Sequence, residues 1–312
     1  VNGDVVEIPS GLRAQARLGD AWADWLDALP RLAAEVLAEW DLTLDGPSMH
    51  GFCSLVLPVR TVSGLPAVLK LHTDADAEES DHEHLALQHW HGHGAVALLR
   101  ADPRRRAMLL ERLHPEDLTD LWDLEACEVV AGLYRRIHVP ALPQLRSLTS
   151  FVGRWNDDLS RLPRNAPIPR RLVEQATALG KSFVDDPAST DTLIHGDLHY
   201  ENVLAGDRQP WLVIDPKPMS GDPHYEVAPM LWNRWDEMVA GGDLRDAVRR
   251  RFHTLVDHAE LDEERTRDWV VVRMVHNAMW AVQDAERAGG PLTAGDREWI
   301  TQCVTLAKAV QD

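Results

Sequence analysis

The run Leu193-Ile194-His195-Gly196-Asp197-Leu198-His199-Tyr200-Glu201-Asn202-Val203-Leu204, followed by Trp211-Leu212-Val213-Ile214-Asp215, sets the tightest limits on the fold. Asp197, Asn202 and Asp215 are embedded in apolar, strand-like sequence. Polar groups in such a frame are tolerated when they share a polar task. Asp197 and Asn202 are five positions apart, so a tight loop points both into one pocket. Asp215 ends a short apolar run that reads as a buried strand. Gly206-Asp207-Arg208-Gln209-Pro210 is a turn signal, so a hairpin is predicted to carry Asn202 and Asp215 back to one place. One carboxylate to accept a hydroxyl proton, with an amide and a second carboxylate to hold magnesium, is the equipment of phosphoryl transfer. The bland reading, a turn followed by a strand terminator, fits each piece alone but not the combined spacing.

The upstream sequence supplies the other parts. Residues 14 to 41 carry an apolar stripe at helical spacing, which Pro30 is expected to kink or divide. Strands follow around the small loop His50-Gly51-Phe52-Cys53-Ser54, where Gly51 and Ser54 allow backbone N–H groups to approach phosphate. Lys70 then sits inside the apolar strand Ala67-Val68-Leu69-Lys70-Leu71-His72. A buried lysine needs a partner. Phosphate oxygens and a helix carboxylate meet that need, and the helix expected over 76–93 offers Glu83 ahead of Glu78 or Glu79. A lysine snorkelling from an edge strand is the plainer reading. The histidines of that helix, whose one i, i+4 pair is His89 and His93, read as a solvated face rather than a zinc site.

Residues 95–99 and 106–113 read as two more strands, and Pro115 closes the segment. Glu111 and Leu113 stand where a kinase hinge offers groups to adenine. Beyond 116 the periodicity is helical except at the catalytic hairpin. A strand-rich half followed by a helix-rich half predicts an α+β, bilobal, protein-kinase-like fold. Its small antiparallel-sheet lobe spans 1–113 and its mainly helical lobe 114–312.

Composition narrows the partners. The net charge of −18 argues against nucleic acid and suits a cationic small-molecule substrate. No apolar run is long enough to span a membrane. Three widely spaced cysteines and the lack of a secretory pattern at the start predict a cytoplasmic protein. Oligomeric state is left open.

His195-Gly196-Asp197-Leu198-His199, with Asn202, resembles the catalytic motif of the aminoglycoside phosphotransferase family, Gly196 standing where protein kinases have arginine. Ile214-Asp215-Pro216-Lys217-Pro218 and the run Gly221-Asp222-Pro223-His224-Tyr225-Glu226 resemble the streptomycin 6-phosphotransferase and hydroxyurea phosphotransferase branch. The resemblance implies an ATP- and Mg2+-dependent phosphotransferase. Asp197 would accept the acceptor's proton, Asn202 and Asp215 would bind magnesium, and Lys70, fixed by Glu83, would hold phosphates. Lys217 replaces the second Asp of the wider family, either near phosphate or in a structural pair. Glu226 is expected to brace the loop after Asp215. Asp157, Asp158, Trp232, Asp236, Trp280 and Asp284 are candidates for lining an acceptor pocket, since acidic and aromatic groups suit amino or guanidino sugars. A metabolic kinase of an amino sugar or hydroxyurea-like compound, and a nucleotide-binding protein without transfer activity, are the alternatives.

Overall fold

The computed structural model describes residues 6–75 and 81–311. The chain divides into two compact units. The first comprises Val1–Pro115 with Ala205–Lys217, and the second Glu116–Leu204 with Pro218–Asp312. The break falls beside the boundary read from the sequence, but residues 205–217, assigned there to the helical half, pack with the first unit.

In the first unit, the helices Ser10–Arg13 and Asp20–Glu39 lead into an antiparallel sheet. Pro30 lies within the second helix without dividing it. The expected division is overridden by packing: Trp22, Trp25, Leu29, Ala33, Val36 and Leu37 form one stripe in a core shared with Leu55, Leu57, Leu69 and Leu71. A proline costs a helix one hydrogen bond, and burying such side chains outweighs it at about 1.5–3 kcal/mol each.

Among the described residues the sheet has six strands. Their order is Thr43–Leu44, Ser54–Arg60, Pro66–His72, Ala107–Glu111 and Leu98–Asp102, with Met49–His50 on the edge of Ser54–Arg60. Lys70 lies in the central strand, in register with Val56 on one side and Met108 on the other. Side chains alternate across a strand. Leu69 and Leu71 therefore enter the helix-facing core, and Lys70 and His72 share the opposite face. The helix after this strand runs Glu83–Trp90. The earlier part expected of it, with Glu78 and Glu79, falls outside the described residues.

The second unit is built around the helix Glu263–Arg287, buried from Trp269 through Met279. Its neighbours are the helices Leu148–Arg161, Arg170–Asp185, Leu244–Ala259 and Ala294–Ala309, and Asp123–Ile137 packs on Leu244–Ala259. Trp269 stacks on Phe183 with ring centroids 3.9 Å apart, and its indole N–H donates to Asp222 at 2.6 Å. A small sheet of Val139–Pro140, Thr192–Ile194 and Met219–Gly221 delivers the chain to His195. No described helix is long and apolar enough to cross a membrane.

Candidate active site

In the first unit, four polar side chains gather behind the central strand. Lys70 Nζ donates to both oxygens of Glu83, at 2.8 and 2.9 Å, and to Asp215 Oδ1 at 2.5 Å. His72 Nε2 lies 2.7 Å from Glu83 Oε2. Lys70, His72 and Glu83 are buried, whereas the Asp215 side chain is 39% exposed. Burial alone would depress the Lys70 ammonium, but the Asp215 and Glu83 carboxylates outweigh it and hold its pKa above the usual lysine value. Burial likewise pushes both acids up, and their neighbours together more than reverse the effect, Lys70 with His72 at Glu83 and Lys70 with Lys217 at Asp215, so each is held below the usual carboxylate range. Lys217 adds to the attraction at Asp215. The pairing of Lys70 with Glu83 is as expected, and Asp215 shares the same ammonium.

His72, Glu83 and Asp215 bring ligand atoms within 4.8 Å of one another. The Lys70 ammonium already supplies the positive charge that this group calls for. Asp215 has φ of 54°, in the left-handed region that a non-glycine residue enters at a cost. This outlier turns the end of the strand Trp211–Val213 so that the carboxylate meets Lys70. The preceding turn is closed by Gly206 N–H donating to Pro210 O at 3.3 Å.

The other expected contributors of the first unit have defined partners. Gly51 N–H donates to Ser54 O at 3.0 Å, so this amide closes the small loop on itself. A Cβ at Gly51 would lie 2.9 Å from Ser54 Oγ, so a side chain there would force that hydroxyl to move. Glu111 N–H donates to Ala97 O, and its carboxylate accepts two bonds from Arg208, at 3.2 and 3.0 Å. Leu113 is half-buried two residues on.

In the second unit, Asp197 and Asn202 are joined directly: the Asn202 amide donates to Asp197 O at 2.8 Å. This leaves the Asn202 side-chain oxygen as the acceptor of that group, the atom a metal would use. Gly196 has φ of 85°, a conformation that disfavours any side chain, so the glycine in place of arginine follows from the backbone. Glu226, fully buried, accepts from His195 N–H at 2.8 Å and Gly196 N–H at 2.7 Å. Arg273 donates to Gly196 O at 2.7 Å and to Tyr225 O at 3.3 Å. Glu226 thus braces the segment before Asp197, not the loop after Asp215 as expected. Tyr200 is fixed by Asp123 at 2.7 Å, and Asp123 is held in turn by the buried Arg251 at 2.8 Å.

The acceptor-pocket candidates separate. Trp155 and Trp280 meet edge to face at 4.9 Å beside His276. Trp232 lies under the Arg273 guanidinium at 5.3 Å. Asp158 and Asp284 pair with Arg161 and Arg287, three residues along their own helices. Asp157 and Asp236 are exposed.

Sequence reasoning passed over His72 and Arg273. A period-two count from Lys70 places His72 on the same face, and Arg273 is a charge in the apolar run Trp269-Val270-Val271-Val272-Arg273-Met274-Val275. Both signals were available.

Comparison with known proteins gives a consistent picture. A family model described as aminoglycoside/hydroxyurea antibiotic resistance kinase matches residues 39–285. Streptomycin 6-kinase of Streptomyces glaucescens is 40% identical over 314 residues, covering 98% of each chain. Hydroxyurea phosphotransferase of Kitasatospora aureofaciens is also 40% identical, over 92% of this chain and 83% of its own. A crystal structure of a thermostable mutant of aminoglycoside phosphotransferase APH(4)-Ia, in ternary complex with ADP and hygromycin B, aligns with a TM-score of 0.58 at 18% identity. It covers 89% of this chain and 98% of that one, and shows the shared α+β, protein-kinase-like fold. With the family model spanning most of its length and two relatives at this level of identity, the chain belongs to the aminoglycoside/hydroxyurea antibiotic resistance kinases.

Proposed function

We propose that the protein is an ATP-dependent O-phosphotransferase that modifies a hydroxyl of an aminoglycoside, with streptomycin the first acceptor to test. The nearly full-length likeness to streptomycin 6-kinase carries this reading. The net charge of −18 supports it, since a negative field draws a polycationic guanidino sugar.

In this reading the γ-phosphoryl group passes from ATP to the acceptor oxygen, and the hydroxyl proton passes to Asp197. Lys70, steadied by Glu83, holds the α- and β-phosphates. Asp215 and Asn202 would each offer an oxygen ligand to magnesium, which would supply charge neutralisation at the phosphates. The carboxylate of Asp215, partly exposed and held ionised, and the side-chain oxygen of Asn202 fit that hard cation. Lys217, close enough to attract Asp215, adds positive charge near the phosphates. Gly51 and Ser54 shape the loop beside the nucleotide, and Glu111 and Leu113 mark the segment offered to adenine. Catalysis on this plan is chiefly positioning and charge neutralisation.

The equal identity to hydroxyurea phosphotransferase favours a second acceptor, the N-hydroxyl of hydroxyurea. The test is acceptor-dependent ADP release with streptomycin, hydroxyurea and an amino-sugar panel, with the product checked by mass spectrometry for one added phosphoryl group. We expect turnover with streptomycin. ADP release indifferent to every acceptor would overturn the reading, and turnover with hydroxyurea alone would move it to the second acceptor.

A further inference from the structure

Glu83 has two buried neighbours, and only one belongs to the mechanism above. Lys70 Nζ takes both carboxylate oxygens. His72 Nε2 approaches Oε2 at 2.7 Å from two positions along the same strand. The other ring nitrogen, Nδ1, lies 3.8 Å from Cys53 Sγ. Because a carboxylate only accepts, Nε2 must be the donor, which fixes the ring's tautomer and leaves Nδ1 facing the thiol. His72 and Glu83 are 4% and 1% exposed, so water does not replace this bond if it is lost. Cys53 belongs to the loop that Gly51 and Ser54 close, and its carbonyl accepts from Thr73 N–H at 3.0 Å. A continuous line of contacts therefore runs from this loop through His72 and Glu83 to Lys70.

The geometry points to His72 as a positioning residue for phosphoryl transfer: its Nε2–H fixes the Glu83 carboxylate, and through it the Lys70 ammonium, in the orientation that receives the nucleotide phosphates. Without that donor, Lys70 is the one side-chain partner left to Glu83, which can rotate about its terminal torsion to follow it. Lys70 then keeps Asp215 but loses its fixed anchor on the helix. A misplacement of about 1 Å at such a group costs on the order of 10²-fold in rate.

This inference rests on the assignment of Lys70 to the phosphates, and the test separates the two. His72→Phe keeps ring bulk without a donor. His72→Gln keeps an N–H near the place of Nε2. His72→Asn is polar but too short to reach Glu83. Each full-length variant is measured for kcat, for KM of ATP and of streptomycin, and for nucleotide affinity by calorimetry without acceptor.

We expect His72→Phe and His72→Asn to lower kcat/KM for ATP by about 10- to 100-fold and to weaken nucleotide binding, with the streptomycin KM unchanged. His72→Gln should recover most of the loss. A packing role predicts the reverse order, with Phe tolerated and Gln harmful, and that result would overturn the proposal. Equal behaviour of Gln and Asn would overturn it too, and needs no folded Phe variant. Lys70→Ala is the control. If it leaves ATP dependence intact, the phosphate assignment fails. If it removes ATP dependence while His72→Phe stays at wild-type rates, only the role of His72 fails.

Discussion

Each unit buries a glutamate, and the two are held in different ways. Glu83 in the first unit is held by side chains, Lys70 and His72. Glu226 in the second is held chiefly by backbone amides, those of His195 and Gly196. A side chain that bonds an ion can turn to meet an arriving ligand. A backbone amide cannot turn without moving the chain. The first arrangement therefore suits a group that must share its charge with phosphate, and the second suits a loop that must stay put. A buried ion pair is in any case weak evidence for stability, since desolvation offsets much of the attraction. A carboxylate that closes two backbone donors gives the loop one shape.

Breaking the centre of each unit should give the largest effects. Asp215→Ala removes a carboxylate that Lys70 holds, and should abolish magnesium-dependent nucleotide binding and turnover together. Asp197→Asn should leave nucleotide binding nearly intact and lower turnover by about 10²-fold or more, with Asn202→Ala in between. A dissociative transition state would shrink the Asp197 loss. Calorimetric ATP–magnesium affinity beside steady-state rates decides it. Normal affinity in Asp215→Ala would remove that residue from the metal site.

The same conservative change in both units sharpens the contrast. Glu226→Gln has one acceptor oxygen for two N–H donors, so one buried amide faces another N–H. A cost of about 1–3 kcal/mol is expected, seen as a lower denaturation midpoint with activity falling alongside it. Glu83→Gln keeps an oxygen for Lys70 and turns its NH2 to His72, whose ring can switch tautomer to accept. It should lose turnover with a smaller change in stability. Equal losses of stability in the two variants would remove the distinction.

The smallest effect is in the pH dependence of stability. Burial raises the Glu226 carboxyl, but His138 and the His195 amide more than reverse this and hold it below its ordinary value. A depressed carboxyl contributes stability that is present above its unfolded pKa, about 4.3, and is lost as pH falls through the lower folded value. Glu83 and Asp215 act in the same direction. Thermal midpoints measured from about pH 6 down to pH 3 should fall most steeply below about pH 4. The slope should be shallower in Glu226→Gln, which has lost one of these groups. An identical slope would mean that Glu226 titrates alike in both states.

Much of this was legible from residue types. Lys70 among Val68, Leu69 and Leu71 announced a buried charge, and the first glutamate of the described helix answered it. The helix and strand order followed from periodicity. Less was legible where the partner is backbone. Glu226 and Arg273 bond amides and carbonyls, which every residue possesses, so nothing in the sequence says which loop they hold. The role given to Glu226 was displaced for that reason. Of the kink or division expected at Pro30, division did not occur, because burial of the tryptophan stripe outweighs one lost hydrogen bond. The acceptor-pocket candidates came from residue type, acidic and aromatic groups on helical segments, which does not tell an acid bound to its neighbouring arginine from one left exposed, as Asp158 and Asp157 illustrate.

The return of residues 205–217 to the first unit has a consequence for inheritance and for engineering. The backbone passes from one unit to the other at 115/116, again at 204/205, and again at 217/218. A gene fragment ending at Pro115 would encode Lys70 and Glu83 without Asp215, leaving the ammonium short of the acid at 2.5 Å. Neither unit can be exchanged between relatives by a single crossover. Recombination that grafts a new acceptor specificity must keep the thirteen-residue insert with its original sheet, through two further joins. Drift in specificity by point substitution within one continuous gene is the route this connectivity leaves open, and chimeras designed with a single junction near 115 should fail first at the nucleotide.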